Sequence, residues 1–310
     1  MNADFTQIAW DEQLEDDCRQ LVRLAVREDL DRQLDWTTVS LVRHGVPGSA
    51  AVVARQSGVI SGLRAAELAL DEMEITAEWI PHVEDGTSVS AGTSIATISG
   101  QARDLLTAER ILLNLIGRLS GVATLTRQFV DAVAGTKARI YDTRKTTPGM
   151  RRLEKYAVRC GGGNNHRTGL FDAVLIKDNH LALSAQVAGQ RPLSPRDAVR
   201  QVRQFVQQRL SGDARGKDMI VEIEVDTLEQ LEEVLPAGPD IVLLDNMTVD
   251  QLRQAVARRD SIAANVELEA SGGIRLDTIR RIAETGVDRI SAGALTHSAA
   301  CLDVGLDWMR

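Results

Sequence analysis

The spacing of hydrophobic positions changes character near residue 137. Before it, residues 14–30 repeat with a helical period, and short strand-like runs follow at 50–55 and 75–80. Residues 85–98 alternate between polar and apolar positions around glycines, which predicts a hairpin. A long helix is predicted from about Ala102. The first part of the chain is therefore predicted to be mixed α and β structure.

The predicted long helix carries one apolar stripe. At 100° per residue the stripe consists of Leu105, Leu106, Leu112, Leu113 and Ile116. Arg110 lies at the border of this stripe.

After residue 137 the pattern alternates between short apolar strands and amphipathic helices. Strands are predicted at 139–142, 173–177, 219–225, 241–245, 266–270 and 289–291, and helices at 195–210, 228–235, 249–259 and 276–284. Such alternation indicates parallel strands with right-handed crossovers. Six strands favour an incomplete six-stranded α/β barrel over a doubly wound open sheet.

Composition excludes several classes of protein. The 310 residues are 44% hydrophobic and 26% charged, ordinary values for two globular domains. No apolar run is long enough to span a membrane, and the first residues lack the layout of a signal peptide. Three widely spaced cysteines fit a reducing cytoplasm rather than a disulfide framework. A net charge of −8 disfavours nucleic-acid binding.

Positive charge is concentrated in residues 137–180. This stretch holds ten basic and four acidic residues, a balance of +6, so the rest of the chain carries −14. A solvated basic face is one explanation. The alternative is an anion site, because guanidinium and ammonium groups bind carboxylates and phosphates. In an acidic protein such a patch indicates a small polyanion.

Each predicted strand of the second part ends in polar residues, where barrel enzymes place their active sites. Glu222 and Glu224 face one side of their strand because they are two residues apart. With Asp245 they could hold Mg²⁺, which prefers oxygen ligands. The alternative is that Glu222 only neutralises Lys177.

Glycine-rich loops follow the last two strands. Ser271-Gly272-Gly273 and Ser291-Ala292-Gly293 would let backbone N–H groups approach a phosphate. The run of glycines at 161–163 either packs where no side chain fits or moves over a substrate. His166 has no zinc-site spacing, but it lies in the basic stretch, which favours a functional role.

Longer stretches resemble one known family. They are Asp142–Gly149, Glu154–Val158, Gly161–Gly163, Asn165–Arg167, Leu175–His180, Ala108–Arg110, Leu113-Asn114, Ser120-Gly121, Glu222–Asp226, Leu243–Asn246, Glu269–Gly273 and Gly293–Ser298. Together they resemble quinolinate phosphoribosyltransferases, from the first helix to the C-terminus.

The resemblance implies an α/β fold with an N-terminal α/β sandwich domain, residues 1–118, and a six-stranded incomplete α/β barrel, residues 119–310. The last 15 or so residues would pack back on the first domain. It also implies a cytoplasmic homodimer in which Arg110 of one subunit enters the active site of the other. Assembly of the dimers into a higher oligomer stays open. No nucleic acid or membrane partner is expected.

The implied reaction joins quinolinate to 5-phosphoribosyl-1-pyrophosphate, releasing pyrophosphate and CO₂ and giving nicotinate mononucleotide. The implied catalytic residues are Lys145, Lys177, Glu224 and Asp245. The implied substrate-binding set adds Arg110, Thr143, Arg144, His166, Arg167, Glu222, Ser271, Gly272, Gly273, Gly293, Ala294 and Leu295. Mg²⁺ would be held by Glu224 and Asp245, directly or through substrate and water.

Three other functions stay open on the residues alone. Lys177 ends a strand as the Schiff-base lysine of an aldolase-type barrel would. A paralogue of the same fold, such as the protein found with molybdate transport, would act on another acceptor. A non-catalytic binding protein would use the basic stretch without turnover.

Overall fold

The computed structural model describes residues 4–184, 192–211 and 219–309. Within these ranges, no helix is long and apolar enough to cross a membrane. The chain divides into two compact units, each drawn from three stretches. The parallel-sheet unit comprises Met1–Gln7, Phe129–Arg144 and Asn164–Ala294, and the antiparallel-sheet unit comprises Ile8–Gln128, Lys145–Gly163 and Leu295–Arg310. The family resemblance implies a single boundary after residue 118.

The antiparallel-sheet unit contains most of the helices and strands of the first part of the chain. Its strands are β1 (Pro47–Ala54), β2 (Gly58–Val59), β3 (Ala77–Pro81), β4 (Ser88–Val89), β5 (Ser94–Gln101) and β12 (Val304–Trp308). Its helices are α1 (Glu12–Leu30), α2 (Trp36–Leu41), α3 (Leu63–Glu72), α5 (Arg151–Cys160) and the greater parts of α4 (Ala102–Ala132) and α11 (Ala294–His297).

The predicted first helix is confirmed, and the predicted hairpin is wrong. The α1 helix begins where Asp11 accepts a hydrogen bond from the Leu14 N–H. The C-terminal strand β12 pairs antiparallel with β1, in a sheet of order β12-β1-β5-β3. The hairpin over 85–98 does not form, because β4 pairs with β2 whereas β5 pairs with β1 and β3. The alternation of polar and apolar residues indicates which side chains of a strand are exposed, but it does not determine which other strand pairs with it.

In the part of the chain that the structure describes, the parallel-sheet unit contains six strands and the helices that connect them. The strands are β6 (Arg139–Tyr141), β7 (Val174–Ile176), β8 (Val221–Val225), β9 (Ile241–Asp245), β10 (Glu267–Ser271) and β11 (Arg289–Ser291). The helices are α6 (Asp178–Leu183), α7 (Pro195–Arg209), α8 (Leu228–Val234), α9 (Val249–Ile262) and α10 (Ile279–Ala283), and a short 3₁₀ helix (Leu235–Ala237) follows α8.

All six strands are parallel, in the order β6-β11-β10-β9-β8-β7. No backbone pairing between the described residues of β6 and β7 closes the sheet. This confirms the predicted mixed α/β fold with six parallel strands. The first four residues of β9 are buried, as expected for a strand covered on both faces. In β8, Val221, Ile223 and Val225 alternate with Glu222 and Glu224, so the two glutamates share one face.

Candidate functional site

Asp142, directly after β6, holds a second segment beside the carboxyl end of that strand. Its buried carboxylate accepts hydrogen bonds from the Asn165 side-chain amide at 2.7 Å and from the His166 N–H at 2.8 Å. Asn164 forms an isolated parallel β-bridge with Tyr141. The residues that follow Asn164 and Tyr141 therefore run beyond the same edge of the sheet.

Two arginines at this edge lie near each other, and neither forms an ion pair with a carboxylate of the described residues. Arg167 is buried, and its Nη1 donates to the Ala173 carbonyl at 3.1 Å. Burial, and next the positive charge of Arg144, lower the pKa of Arg167, and the more weakly acting charges of Glu222 and Asp172 only partly oppose them. The buried Nε of Arg144 has no hydrogen-bond partner. Among the described residues, no carboxylate lies within 4.0 Å of either guanidinium. This arrangement fits an anionic ligand with more than one negative group.

Lys177 pairs with Glu224, not with Glu222. The Lys177 ammonium donates to the Glu224 carboxylate, joining the end of β7 to β8. The alternative in which Glu222 neutralises Lys177 is therefore wrong. Since the backbones of Ile176 and Ile223 are paired, the next residues, Lys177 and Glu224, are brought level with each other.

Glu224 and Asp245 point to the same face of the sheet. The backbone of Leu243 pairs with that of Glu224, and Asp245 lies two residues further along β9. The Asn246 side chain donates to the Asp245 carboxylate at 2.7 Å. Two carboxylates on one face suit Mg²⁺ chemically. Glu222 does not belong with them in a three-ligand group.

Glu222 instead belongs to a buried cluster with His166 and Glu269. The His166 Nε2 lies 3.0 Å from a Glu222 oxygen and 3.6 Å from a Glu269 oxygen. This is the one set of three groups with metal-ligand spacing within the described ranges. Burial, and then the Glu222 charge, raise the pKa of Glu269 to about 7. No hydrogen bond of good geometry reaches the oxygens of either glutamate.

The loops after β9 and β10 pack so closely that one position requires glycine. Gly272 has a φ of +87°, and a Cβ there would lie 2.3 Å from the Asn246 side-chain oxygen. Asn246 itself has a φ of 54°, and its N–H donates to the Ser271 carbonyl at 2.9 Å. At Gly273 a Cβ would meet nothing within 4 Å. The loop thus leaves space beside backbone N–H groups, which suits a phosphate.

The remaining predicted site residues divide between the units. Thr143, Gly293 and Ala294 lie in the parallel-sheet unit, each partly exposed. Lys145, Leu295 and Arg110 belong to the antiparallel-sheet unit, where Arg110 and Lys145 are exposed.

The surroundings of Leu295 and Arg110 bear on how each could contact a ligand. The Leu295 side chain is fully buried, so only its backbone could meet a ligand. Arg110 lines a cavity of about 580 Å³ together with residues of α1 and α4.

The glycines at 161–163 are close-packed. A Cβ at Gly161 would lie 2.4 Å from the Ala123 carbonyl oxygen, and a Cβ at Gly163 would lie 2.7 Å from a Thr126 methyl. Of the two explanations open on the sequence, the structure therefore supports packing against α4 for these two glycines.

Sequence reasoning missed Asp142 and Glu269 as site residues. Asp142 orients the segment that carries His166 and Arg167. Glu267 and Glu269 are two residues apart in β10, as Glu222 and Glu224 are in β8. That pattern was the available signal, because a charged residue at every second position of a buried strand places carboxylates on one face.

Comparisons with known proteins agree on one family. The model for the quinolinate phosphoribosyl transferase C-terminal domain matches residues 122–307, and that for the N-terminal domain matches residues 35–120. The chain is 47% identical over 294 residues to the nicotinate-nucleotide pyrophosphorylase [carboxylating] of Mycobacterium leprae, covering 94% of this chain and 97% of the relative. It is 40% identical over 258 residues to the probable enzyme of the same name from Bacillus subtilis, covering 83% and 82%.

Solved structures give the same result. The nicotinate-nucleotide pyrophosphorylase of Francisella tularensis superposes with a TM-score of 0.83 at 34% identity, covering 99% of this chain and 100% of that one. The chain belongs to the quinolinate phosphoribosyltransferase family.

Proposed function

We propose that this chain transfers the phosphoribosyl group of 5-phosphoribosyl-1-pyrophosphate to quinolinate, with loss of CO₂, and binds the quinolinate dicarboxylate through Arg144 and Arg167. The observation that carries this proposal is the arginine pair. Two guanidiniums, one of them buried, share an edge of the sheet with no carboxylate in ion-pairing distance among the described residues. Two adjacent carboxylates on one ring would compensate both charges.

The first step requires positioning and charge compensation. The pyridine nitrogen attacks the anomeric carbon of the ribose while the bond to pyrophosphate breaks, and positive charge develops on the sugar. Lys145 and Lys177 would compensate the departing pyrophosphate. Glu224 and Asp245 would face the ribose hydroxyls. Mg²⁺ bound by these two carboxylates, directly or through substrate and water, would neutralise further phosphate charge.

The second step is decarboxylation. Once the ring nitrogen carries the ribose, the ring is cationic and accepts the electron pair of the breaking C2–CO₂ bond. A proton from solvent then takes the place of CO₂ at C2. This sequence requires no side chain as an essential general base. A variant whose lost activity is fully restored by added small bases would contradict that statement.

The loops at Ser271-Gly272-Gly273 and at Gly293-Ala294-Leu295 would hold the 5-phosphate. The open space beside Gly273 supports this role for the first loop. His166, Thr143 and Glu222 complete the substrate-binding set.

The Schiff-base alternative is disfavoured by the partner of Lys177. Its side-chain nitrogen donates to Glu224, and a nitrogen engaged in this ion pair is not free to attack a carbonyl carbon. Borohydride trapping with an aldehyde substrate should therefore give no adduct at Lys177.

The assembly we propose is a homodimer in which Arg110 completes the partner's site. Exposure of Arg110 supports a role outside its own unit. Arg110→Ala and Arg144→Ala should each be inactive alone and should recover activity when mixed, because one site of the mixed dimer is intact. All three cysteines are free, which supports a cytoplasmic location.

The decisive experiment is a turnover assay with phosphoribosyl pyrophosphate, Mg²⁺ and either quinolinate or nicotinate. Quinolinate should give CO₂ and nicotinate mononucleotide, and nicotinate should give no product. In Arg144→Gln, kcat/KM for quinolinate should fall by at least about 100-fold. The matched control is Arg253→Gln, an exposed arginine of α9 paired with Asp250, which should change kcat/KM by less than about twofold. Product from nicotinate alone would overturn the proposed role of the arginine pair.

A further inference from the structure

We infer that Glu154 is a positioning residue that holds the loop carrying Lys145, and that it thereby strengthens binding of the phosphoribosyl donor without affecting that of quinolinate. This inference rests on the proposed function for the role of Lys145. The residues that support it all lie in the antiparallel-sheet unit: Glu154, Arg118, Thr147, Thr296 and Lys145.

The Glu154 carboxylate, on α5, is fully buried and accepts hydrogen bonds from two residues. The Arg118 guanidinium donates to one oxygen, through Nε at 3.1 Å and through Nη2 at 2.5 Å. Thr147 donates to the same oxygen through its hydroxyl at 2.8 Å and to the other oxygen through its backbone N–H at 3.0 Å. A buried carboxylate requires such donors because water does not solvate its charge. Glu154 therefore fixes the position of Thr147.

Arg118 connects this carboxylate to a second segment of the chain. Its Nη1 donates to the Ala299 carbonyl at 2.8 Å, and its Nη2 also donates to the Thr296 carbonyl. The Thr296 hydroxyl in turn donates to the Lys145 carbonyl at 2.7 Å. The loop is thus held at Lys145 as well as at Thr147, and Arg118 joins the two contacts.

Both of the segments that are held carry groups proposed to bind the phosphoribosyl donor. Lys145 is exposed, and its ammonium is proposed to compensate the departing pyrophosphate. Leu295, directly before Thr296, would offer its backbone to the 5-phosphate. A lysine whose main chain is already fixed loses less conformational freedom when it binds an anion, and this strengthens binding. Loss of either contact should therefore weaken the binding of a polyphosphate.

The arginines proposed to bind quinolinate are held by other hydrogen bonds. Arg144 and Arg167 belong to the parallel-sheet unit. There the buried Asp142 carboxylate holds the segment of Arg167 by accepting from the His166 N–H at 2.8 Å. If Glu154 only stabilised the fold, its loss would weaken the binding of both ligands or of neither. A positioning role predicts that the binding of the polyphosphate alone is weakened.

Three substitutions each remove one part of this network. Thr147→Val and Thr296→Val replace a hydroxyl with a methyl group of similar size, so each loses one hydrogen bond. In Glu154→Gln, one carboxylate oxygen becomes an NH₂ group, which sets a donor against the donors of Thr147 or Arg118. Calorimetric titration with inorganic pyrophosphate and Mg²⁺ should give a Kd raised about fivefold in each threonine variant and about 20-fold in Glu154→Gln. The Kd for quinolinate should change less than about twofold in all three.

Thr97→Val and Glu72→Gln are the matched controls, and both residues lie in the same unit. The Thr97 hydroxyl shares a hydrogen bond of 2.7 Å with the His82 ring. Glu72 accepts from Arg23 at 2.5 Å and from Arg19 at 3.2 Å, and so is another glutamate bound by guanidinium groups. Both controls should leave the two Kd values within about twofold of the wild type.

An equal loss of affinity for quinolinate, or an unchanged affinity for pyrophosphate, would overturn the inference. A wild-type chain that does not bind pyrophosphate would overturn it as well. Melting temperatures identify any variant that fails to fold, and Thr147→Val, at an exposed residue, decides the result if Glu154→Gln does not fold. If the wild-type chain binds pyrophosphate but gives no product from quinolinate, the proposed function fails, whereas the titrations still decide the role of Glu154.

Discussion

Two groups of arginines in the parallel-sheet unit differ in how their charge is neutralised. Arg139 and Arg289 are the first residues of β6 and β11, and both pair with Asp4 and Glu267. Arg144 and Arg167 lie beyond the carboxyl end of β6 and form no ion pair within 4.0 Å with a carboxylate of the described residues. The same residue type therefore serves two purposes within one unit.

The paired arginines are built into the protein interior. Arg289 is fully buried, and its guanidinium lies 4.6 Å from the centroid of the Tyr141 ring. Burial by itself would lower the pKa of Arg289, but Tyr141, Glu267 and Asp4 raise it above its usual range. For Arg167, burial and Arg144 act in the lowering direction and outweigh the opposing charges of Glu222 and Asp172, so the pKa stays below its usual range. A buried cation with its counterions present stabilises the fold, whereas one without them is available to a ligand.

The largest effect is expected at the unneutralised pair. Arg167→Met should lower kcat/KM for quinolinate by about 1000-fold, because a cation in contact with a substrate carboxylate is lost. The free energy of unfolding should stay equal or rise, since the substitution removes a buried charge lying beside a like charge. Quinolinate kinetics and urea unfolding measure the two quantities. A variant with unchanged kinetics would place the dicarboxylate elsewhere.

The opposite result is expected at the neutralised pair. Arg289→Met leaves Glu267 and Asp4 short of a cation and should lower the free energy of unfolding by about 3–5 kcal/mol. In protein that remains folded, KM for quinolinate should change less than about twofold. Unfolding in urea together with steady-state kinetics tests both statements. Similar losses of activity in Arg289→Met and Arg167→Met would remove the distinction between the two groups.

The buried carboxyl group of Glu269 extends the comparison to an acid. Burial disfavours its charged form and so raises its pKa. Its folded-state pKa of about 7 lies above the ordinary glutamate value of 4.5. The folded protein therefore binds this proton more tightly than the unfolded chain does. The resulting stability is fully present below pH 4.5 and is lost as the pH rises through 7.

Glu269→Gln should remove this dependence. Its free energy of unfolding, compared with that of the wild type, should increase between pH 4.5 and pH 8, by on the order of 3 kcal/mol. Urea unfolding at a series of pH values measures the difference. A difference that does not vary with pH would mean that Glu269 is ionised throughout.

The smallest effect is expected at Arg139. Its side chain is 41% exposed, so solvent weakens its ion pairs with Asp4 and Glu267. Arg139→Gln should lower the free energy of unfolding by about 1 kcal/mol and leave quinolinate kinetics unchanged. A loss as large as that of Arg289→Met would show that neutralisation matters more than burial.

Much of the parallel sheet could be predicted from local pattern. The strands at 241–245 and 289–291 form at those residues, and the other four agree within two residues. Short apolar runs between amphipathic helices carry this information, because each strand must bury both faces. The sequence also predicted the basic stretch and the shared face of Glu222 and Glu224. Both predictions depend only on residues that are close together in the chain.

Only the tertiary structure decided which charges meet. The sequence could not choose between Glu222 and Glu224 as the partner of Lys177, because the choice depends on the register between β7 and β8. It gave no sign that Phe5 stacks on His166, a contact across 161 residues of chain. It contained ten basic residues in one stretch, but burial and missing counterions distinguish Arg144 and Arg167 from Arg139. Composition and periodicity are properties of residues that are near each other in the chain. Whether a charged side chain is neutralised depends instead on which side chains lie near it in space.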